Sequence, residues 1–310
     1  MNDITQQLVD EQQKQRLVRR FGTGAIAWLA DLPALVDELA AQWDLTVQGP
    51  APHGRTSVVL FCRRADGTPA ILKVSPDPAL GTSEARVLRL WQGTGRVPAV
   101  WEVDPERSAV LLEAVGKGRT VALVGEVPDM AEIAALISDL HSVNVPCNDL
   151  GQLHPLNSRM NFIFDMWERE RQNGRAAEIV PPSAMHRGHA RARDLSHAED
   201  EDDGGAVPLH GDLHPGNVLY GGPERGFVAV DPRACIGDGA ADAVDWAVWQ
   251  AQDLEEVDRR VAVLAAGIGV RGERLMAWCR ACAPLFAVAA ANRGRADTPH
   301  FAMLMRLAAG

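Results

Sequence analysis

The segment Pro208 to Trp246, PLHGDLHPGNVLYGGPERGFVAVDPRACIGDGAADAVDW, constrains this chain more than any other. It holds His210-Gly211-Asp212, with Asn217 five residues beyond Asp212. A short hairpin is expected next, Val218 to Tyr220 and Phe227 to Val230, turned by Gly221-Gly222-Pro223. Its second strand ends on Asp231, so two hairpin ends present Asp212, Asn217 and Asp231 one loop apart. All three are hard oxygen donors with no sulfur beside them. Such an incompletely closed oxygen set suits Mg²⁺, which keeps waters and completes its shell with substrate phosphates. A phosphoryl donor carries several negative oxygens, so neutralising charge is the main task of such a site. On this reading Asn217 and Asp231 hold the metal, and Asp212 is left to accept a proton from an attacking hydroxyl or to orient it.

The rest of the chain reads as a sheet-rich front and a helix-rich back. Asp31-Leu32-Pro33 followed by Leu35, Val36, Leu39 and Trp43 predicts a helix. Ser57 to Cys62 and Pro69 to Val74 predict a hairpin turned at Ala65-Asp66-Gly67. Ser83 to Trp91 predicts a helix capped by Ser83, and Val97 to Val103 with Ser108 to Leu112 a second strand pair turned by Asp104-Pro105-Glu106. Behind these, Ile133, Leu136, Ile137 and Leu140 form the apolar stripe of a helix from Pro128 to about His141. Asn161 to Arg171 and Val257 to Gly267 predict further helices, whereas the acidic run Glu199 to Asp203 predicts a solvated loop between them. The division is residues 1–113, a nucleotide-binding sheet with N-terminal helices, and residues 114–310, carrying the catalytic loop, metal site and substrate pocket. Ligands commonly sit between two such lobes.

Lys73 on Ala-Ile-Leu-Lys-Val, with Glu84 eleven residues later, supplies the basic partner that phosphates require. Together with HGDLHPGN and VDPRACIGDGAAD, these residues resemble the protein-kinase-like fold and, within it, the aminoglycoside phosphotransferases, whose pattern is H-G-D-x-x-x-x-N, then Asp, then G-D-x-x-x-D. DPRACIGD, the opening GTGAIAWLADLPALVDELAAQWDL and LHSV at Leu140 to Val143 are most similar to the streptomycin and hydroxyurea phosphotransferase group. The resemblance implies an α+β bilobal fold and ATP- and Mg²⁺-dependent phosphorylation of a small-molecule hydroxyl. It further implies Asp212 as catalytic base, Asn217 and Asp231 as Mg²⁺ ligands, and Lys73 with Glu84 as phosphate clamp. Asp242 would brace the catalytic loop, His210 would be structural within it, and adenine would hang from backbone groups near Glu113 and Val115. Departures from protein kinases are Asp231-Pro232-Arg233 for Asp-Phe-Gly and Gly211 for Arg. Only eleven residues separate Asp231 from Asp242, too few for a phosphorylated activation loop. A phosphate-covering loop is expected at Gly49 to Ser57, which lacks G-x-G-x-x-G.

Composition narrows the acceptor and excludes several classes. The 310 residues include 31 Lys and Arg against 41 Asp and Glu, a net charge of −10, which disfavours nucleic acid and suits a cationic small molecule such as an aminoglycoside. No signal peptide, membrane partner or obligate protein partner is expected, and five cysteines in so long a chain argue for a reducing cytoplasm. Gly49 to Thr56 imitates a Walker A loop, but Arg55 stands where Lys is needed and Pro50 and Pro52 remove N–H donors. His210-x-Asp212-x-His214 is open to a metal-hydrolase reading, and Cys279-x-x-Cys282 reads as two buried thiols on an apolar helix. Asp238 and Asp245 are either acids lining a cationic-substrate pocket or ordinary solvated acids. Two alternatives stand beside the aminoglycoside: hydroxyurea or a metabolite as acceptor, and a non-catalytic nucleotide-binding module.

Overall fold

The chain folds into two compact units, Met1–Arg119 with Leu219–Gly222, and Thr120–Val218 with Pro223–Gly310. The structure is a computed structural model, which describes residues 8–51, 56–144, 153–197 and 205–310. The acidic run from Glu199 and the centre of the Gly49–Ser57 loop lie outside the described residues.

The first unit begins with two helices, α1 (Glu11–Phe21) and α2 (Gly24–Gln42). Five strands follow, β1 (Leu45–Pro50), β2 (Val58–Arg64), β3 (Pro69–Val74), β4 (Val100–Asp104) and β5 (Ala109–Glu113), with α3 (Pro78–Trp91) between β3 and β4. They make an antiparallel sheet in the order β1-β2-β3-β5-β4. Strand side chains alternate between faces. Ala70, Leu72 and Val74 therefore join Val58, Leu60 and Leu111 in a core completed by Leu17 of α1 and Leu32, Val36 and Leu39 of α2. Lys73 lies on the opposite face of β3, where Glu84 of α3 meets it.

Two expectations are corrected here. Helix α2 starts at Gly24 and runs through Pro33 rather than opening at Asp31. Proline removes one hydrogen bond from a helix interior, but Ala25, Leu32, Val36 and Leu39 are all buried on one face and hold the segment helical. Helix α3 starts at Pro78, and its cap is Asp77, whose side chain accepts from the Ala79 N–H, rather than Ser83. Glu84 accordingly sits nearly two turns inside the helix, beyond reach of a first-turn dipole effect. The hairpin turn at Asp66 is as read, with Asp66 Oδ1 accepting from Thr68 N and Gly67 at φ +84°.

In the second unit α4 (Val121–Val124) and α5 (Met130–His141) lead, and all four stripe residues of α5 are buried, at roughly 1.5–3 kcal/mol each. The expected helix at Asn161 is longer, α6 (Leu156–Asn173), and α7 (Pro182–His197) occupies a stretch the sequence reading left without an element. Strands β6 (His154–Pro155), β7 (Ala206–Leu209) and β10 (Cys235–Asp238) form one small sheet, and β8 (Val218–Tyr220), whose last two residues group with the first unit, pairs with β9 (Phe227–Ala229) as the expected hairpin. The remainder is α8 (Ala240–Val248), α9 (Leu254–Ile268), α10 (Gly272–Asn292) and α11 (Pro299–Ala309). By length and composition α10 could cross a membrane, but 67% of its most apolar window is buried inside this fold, where it packs against α7, α8 and α11. Cys279 and Cys282 are buried on it; burial pushes both thiols up, that of Cys282 to about 12. They are inert core side chains, as read.

Candidate active site

The first unit contributes one buried ion pair. Lys73 Nζ lies 2.6 Å from Glu84 Oε2, with side chains 12% and 5% exposed. Removing one partner from such a pair strands the other charge. Lys73→Ala or Glu84→Ala alone is expected to cost about 3 kcal/mol in urea denaturation. The double replacement Lys73→Met with Glu84→Leu should restore most of that loss, and single variants as stable as the parent would contradict the pairing. At the end of β5, Glu113 N donates to Ala99 O and Glu113 Oε2 accepts from Ala99 N. Val115 O accepts from Gly118 N, whereas the buried Val115 has no partner for its N–H among the described residues.

The loop 210–217 in the second unit is built around a buried carboxylate. Asp242, in the first turn of α8, accepts from the backbone N–H of His210 at 2.7 Å and of Gly211 at 2.9 Å. His141, at the end of α5, places Nε2 3.2 Å from the same carboxylate. Burial pushes the Asp242 carboxyl up, but the His141 bond, the neighbouring imidazoles and the Gly211 N–H outweigh it and hold the group below its ordinary range. Asp242 is thus the brace that the resemblance implied. It does not cap α8, whose N-cap position, Gly239, has no side chain to do so.

His210 is fully buried, and its two ring nitrogens have distinct partners. Nε2 lies 3.1 Å from the Val230 carbonyl, which can only accept, so the proton is on Nε2. Nδ1 accepts from the Asp212 N–H. Burial lowers the imidazole's affinity for a second proton, leaving the ring neutral. His214 turns inward to accept from Gly216 N. Both His210 nitrogens are thus engaged within the loop, and among the described residues no group of three or more His, Cys, Asp or Glu could hold a metal.

Gly211 is required by a close approach. Its φ is +74°, and a Cβ there would stand 2.3 Å from the Arg233 carbonyl oxygen. Arg233 N in turn donates to His210 O at 2.8 Å. The Asp231-Pro232-Arg233 segment is therefore tied directly to the loop, which accounts for glycine standing where protein kinases carry Arg.

The structure joins Asn217 directly to Asp212, and Asp231 follows the residue that pairs with the Asn217 backbone. Asn217 is buried and donates through Nδ2 to Asp212 O at 2.9 Å, with Asp212 Oδ2 at 3.4 Å. Val230 N donates to Asn217 O, setting Asn217 beside the strand end that carries Asp231. Asp231 adopts φ +62°, an uncommon conformation for a non-glycine residue and one that turns the chain sharply at the end of β9. Asn217 Oδ1 has no partner among the described residues. A hard amide oxygen left over beside Asp212, with Asp231 next after Val230 in the chain, fits Mg²⁺ in its donor chemistry.

Two partners of the loop were not found by the sequence reading, and one acid it named is placed differently. Arg159 in the first turn of α6 reaches Asp212 Oδ1 at 3.0 Å, and His141 reaches Asp242 from a hundred residues away. Asp238 is neither solvated nor available to a cationic substrate: Oδ2 accepts from Arg274 Nε at 2.6 Å and from Trp278 Nε1. Asp245, also on α8, is partly buried, and its side chain makes no hydrogen bond or ion pair among the described residues. Burial, with the charges of Asp212 and Asp242, pushes its carboxyl up to about 7.

Comparison with known proteins identifies the family. Residues 42–294 match the family described as aminoglycoside/hydroxyurea antibiotic resistance kinase. A streptomycin 6-kinase of Streptomyces glaucescens is 32% identical over 275 residues, 84% of this chain and 83% of that protein. A hydroxyurea phosphotransferase of Kitasatospora aureofaciens is 31% identical over 286 residues, 89% and 76% of the two chains. Among solved structures, a choline kinase from Streptococcus pneumoniae matches with a TM-score of 0.61 at 12% identity, covering 90% of this chain and 99% of that one. That match shows a shared fold alone, the α+β architecture of kinase-like phosphotransferases. From its sequence and its fold, the chain belongs to the aminoglycoside/hydroxyurea antibiotic resistance kinase family and is a phosphotransferase acting on a hydroxyl group.

Proposed function

We propose that the protein transfers the γ-phosphoryl group of ATP to a hydroxyl of an aminoglycoside, streptomycin first, and so inactivates the drug. The observation that carries the mechanism is the Asp242-braced loop, which fixes Asp212 and Asn217 on one turn. Lys73, held by Glu84, binds the α and β phosphates as a point charge. The N–H of Val115, without a partner among the described residues, suits an acceptor nitrogen of adenine. Asn217 Oδ1 and Asp231 are the residues that would hold Mg²⁺, which when bound neutralises the charge of the phosphate oxygens. Asp212 accepts the hydrogen bond of the attacking hydroxyl and aligns it in line with the leaving group. The complete set Lys73, Asp212, Asn217 and Asp231 favours catalysis over a non-catalytic nucleotide-binding module.

A net charge of −10 favours a guanidinium- or amine-bearing acceptor over neutral hydroxyurea. Four described cysteines are free and buried, in keeping with a reducing cytoplasm. The test is ATP turnover against a panel of aminoglycosides and hydroxyurea, paired with nucleotide binding by calorimetry. Turnover with streptomycin is the expected result. Asp231→Ala is expected to abolish the Mg²⁺-dependent part of ATP binding. Unchanged binding would remove Asp231 from the metal site, and turnover with hydroxyurea alone would replace the acceptor.

A further inference from the structure

Asp212 is held from a side that the sequence motif does not contain. Arg159 lies in the first turn of α6, and two donors on one edge of its guanidinium grip consecutive residues of the loop. Nε donates to Gly211 O at 3.0 Å, and Nη2 donates to Asp212 Oδ1 at 3.0 Å. The Arg159 side chain is 15% exposed and that of Asp212 36%, so the carboxylate remains accessible while the guanidinium that holds it is largely buried. Phe162, one turn along α6, lies under the guanidinium with its ring centre 5.9 Å away. Only Asp212 Oδ2 remains on the Asn217 side.

We infer that Arg159 is a positioning residue for phosphoryl transfer, clamping Asp212 so that Oδ1 is occupied and Oδ2 alone faces the acceptor hydroxyl. A free aspartate rotates about χ1 and χ2 and presents either oxygen in several directions. A fork that binds the backbone carbonyl of residue 211 and the side chain of residue 212 together fixes both the loop and the rotamer. Two parallel bonds need the planar guanidinium, and an ammonium cannot reproduce them. The Asp242 brace acts on the N–H side of the same loop and leaves the Asp212 side chain untouched, so the two devices are separate.

The inference rests on the reading of Asp212 given above, and its test keeps the two apart. Crystal structures of the parent, Arg159→Ala and Arg159→Lys should show Asp212 leaving its position in both variants while the Asp242 bonds to His210 and Gly211 persist. This readout does not depend on the acceptor. An Asp212 carboxylate unmoved in Arg159→Ala would overturn the inference. In kinetics with MgATP and streptomycin, Arg159→Ala is expected to lose about 10²-fold in kcat with KM for ATP unchanged. Added guanidinium chloride at low millimolar concentration should restore part of the loss, which it would not do if Arg159 merely anchored α6. A parental kcat in Arg159→Ala would sink the clamp alone, whereas a parental kcat in Asp212→Ala would sink the reading beneath it.

Discussion

Asp212→Ala is expected to lower kcat for phosphoryl transfer by about 10²–10⁴-fold, the range for a lost positioned acid or base. The fold should tolerate the change. Asp212 is 36% exposed, its backbone keeps the His210 and His214 bonds, and Arg159 retains Gly211 O. Thermal denaturation and MgATP affinity should stay close to the parent's, which separates loss of chemistry from loss of structure. Asp212→Asn keeps the shape and the Arg159 contact but cannot accept a proton, so the difference between the two variants measures orientation against proton acceptance. If the asparagine variant retains most of the rate, the acceptor hydroxyl is aligned rather than deprotonated by this residue, as a loose transition state permits. Undiminished turnover in both variants would exclude Asp212 from the reaction.

The second large effect is on stability and runs through Asp245. Its folded-state carboxyl is raised from 3.8 to about 7 by burial and by the charges of Asp212 and Asp242. The folded protein therefore holds a proton that the unfolded chain has already released between about pH 4 and 7. Stability falls as pH rises across that window and stays at its lower value above it. At about 1.4 kcal/mol per unit, the full cost above pH 7 is up to about 4 kcal/mol. Asp245→Asn removes the charge with little change in shape. The variant is expected to gain several degrees in Tm at pH 8, at roughly 2–4 °C per kcal/mol. Near pH 4.5 the gain should shrink to about a quarter of that, because little of the window lies below it. A Tm difference of the same size at both pH values would show that the charge of Asp245 is not what destabilises the parent.

Much of the site is legible because its spacing is local. Asp212, Asn217 and Asp231 lie within twenty residues, and two short hairpin ends leave few ways of arranging them. In the structure, strand alternation sets Lys73 on the face opposite Leu72. Helix ends were harder to read: Asp77 rather than Ser83 caps α3, and α2 runs through Pro33. In both cases burial along the whole apolar face outweighed a local stop or start signal. Helix α7 carries three histidines and three arginines among small residues, and its buried side, Ala184, Met185, Gly188 and Ala192, is too weakly apolar to announce a helix.

The sequence by itself determined the chemical kind of the site, because hard oxygen donors at fixed short separations and a lysine–glutamate pair define phosphate and divalent-cation chemistry before any fold is known. Tertiary structure alone decided which groups hold those residues in place. His141 and Arg159 reach Asp242 and Asp212 from 101 and 53 residues away, and Asp238 is drawn to Arg274 and Trp278. No periodicity or spacing records such partners. Their choice follows from which helices pack against the loop, and a buried carboxylate takes whatever donor that packing brings within reach.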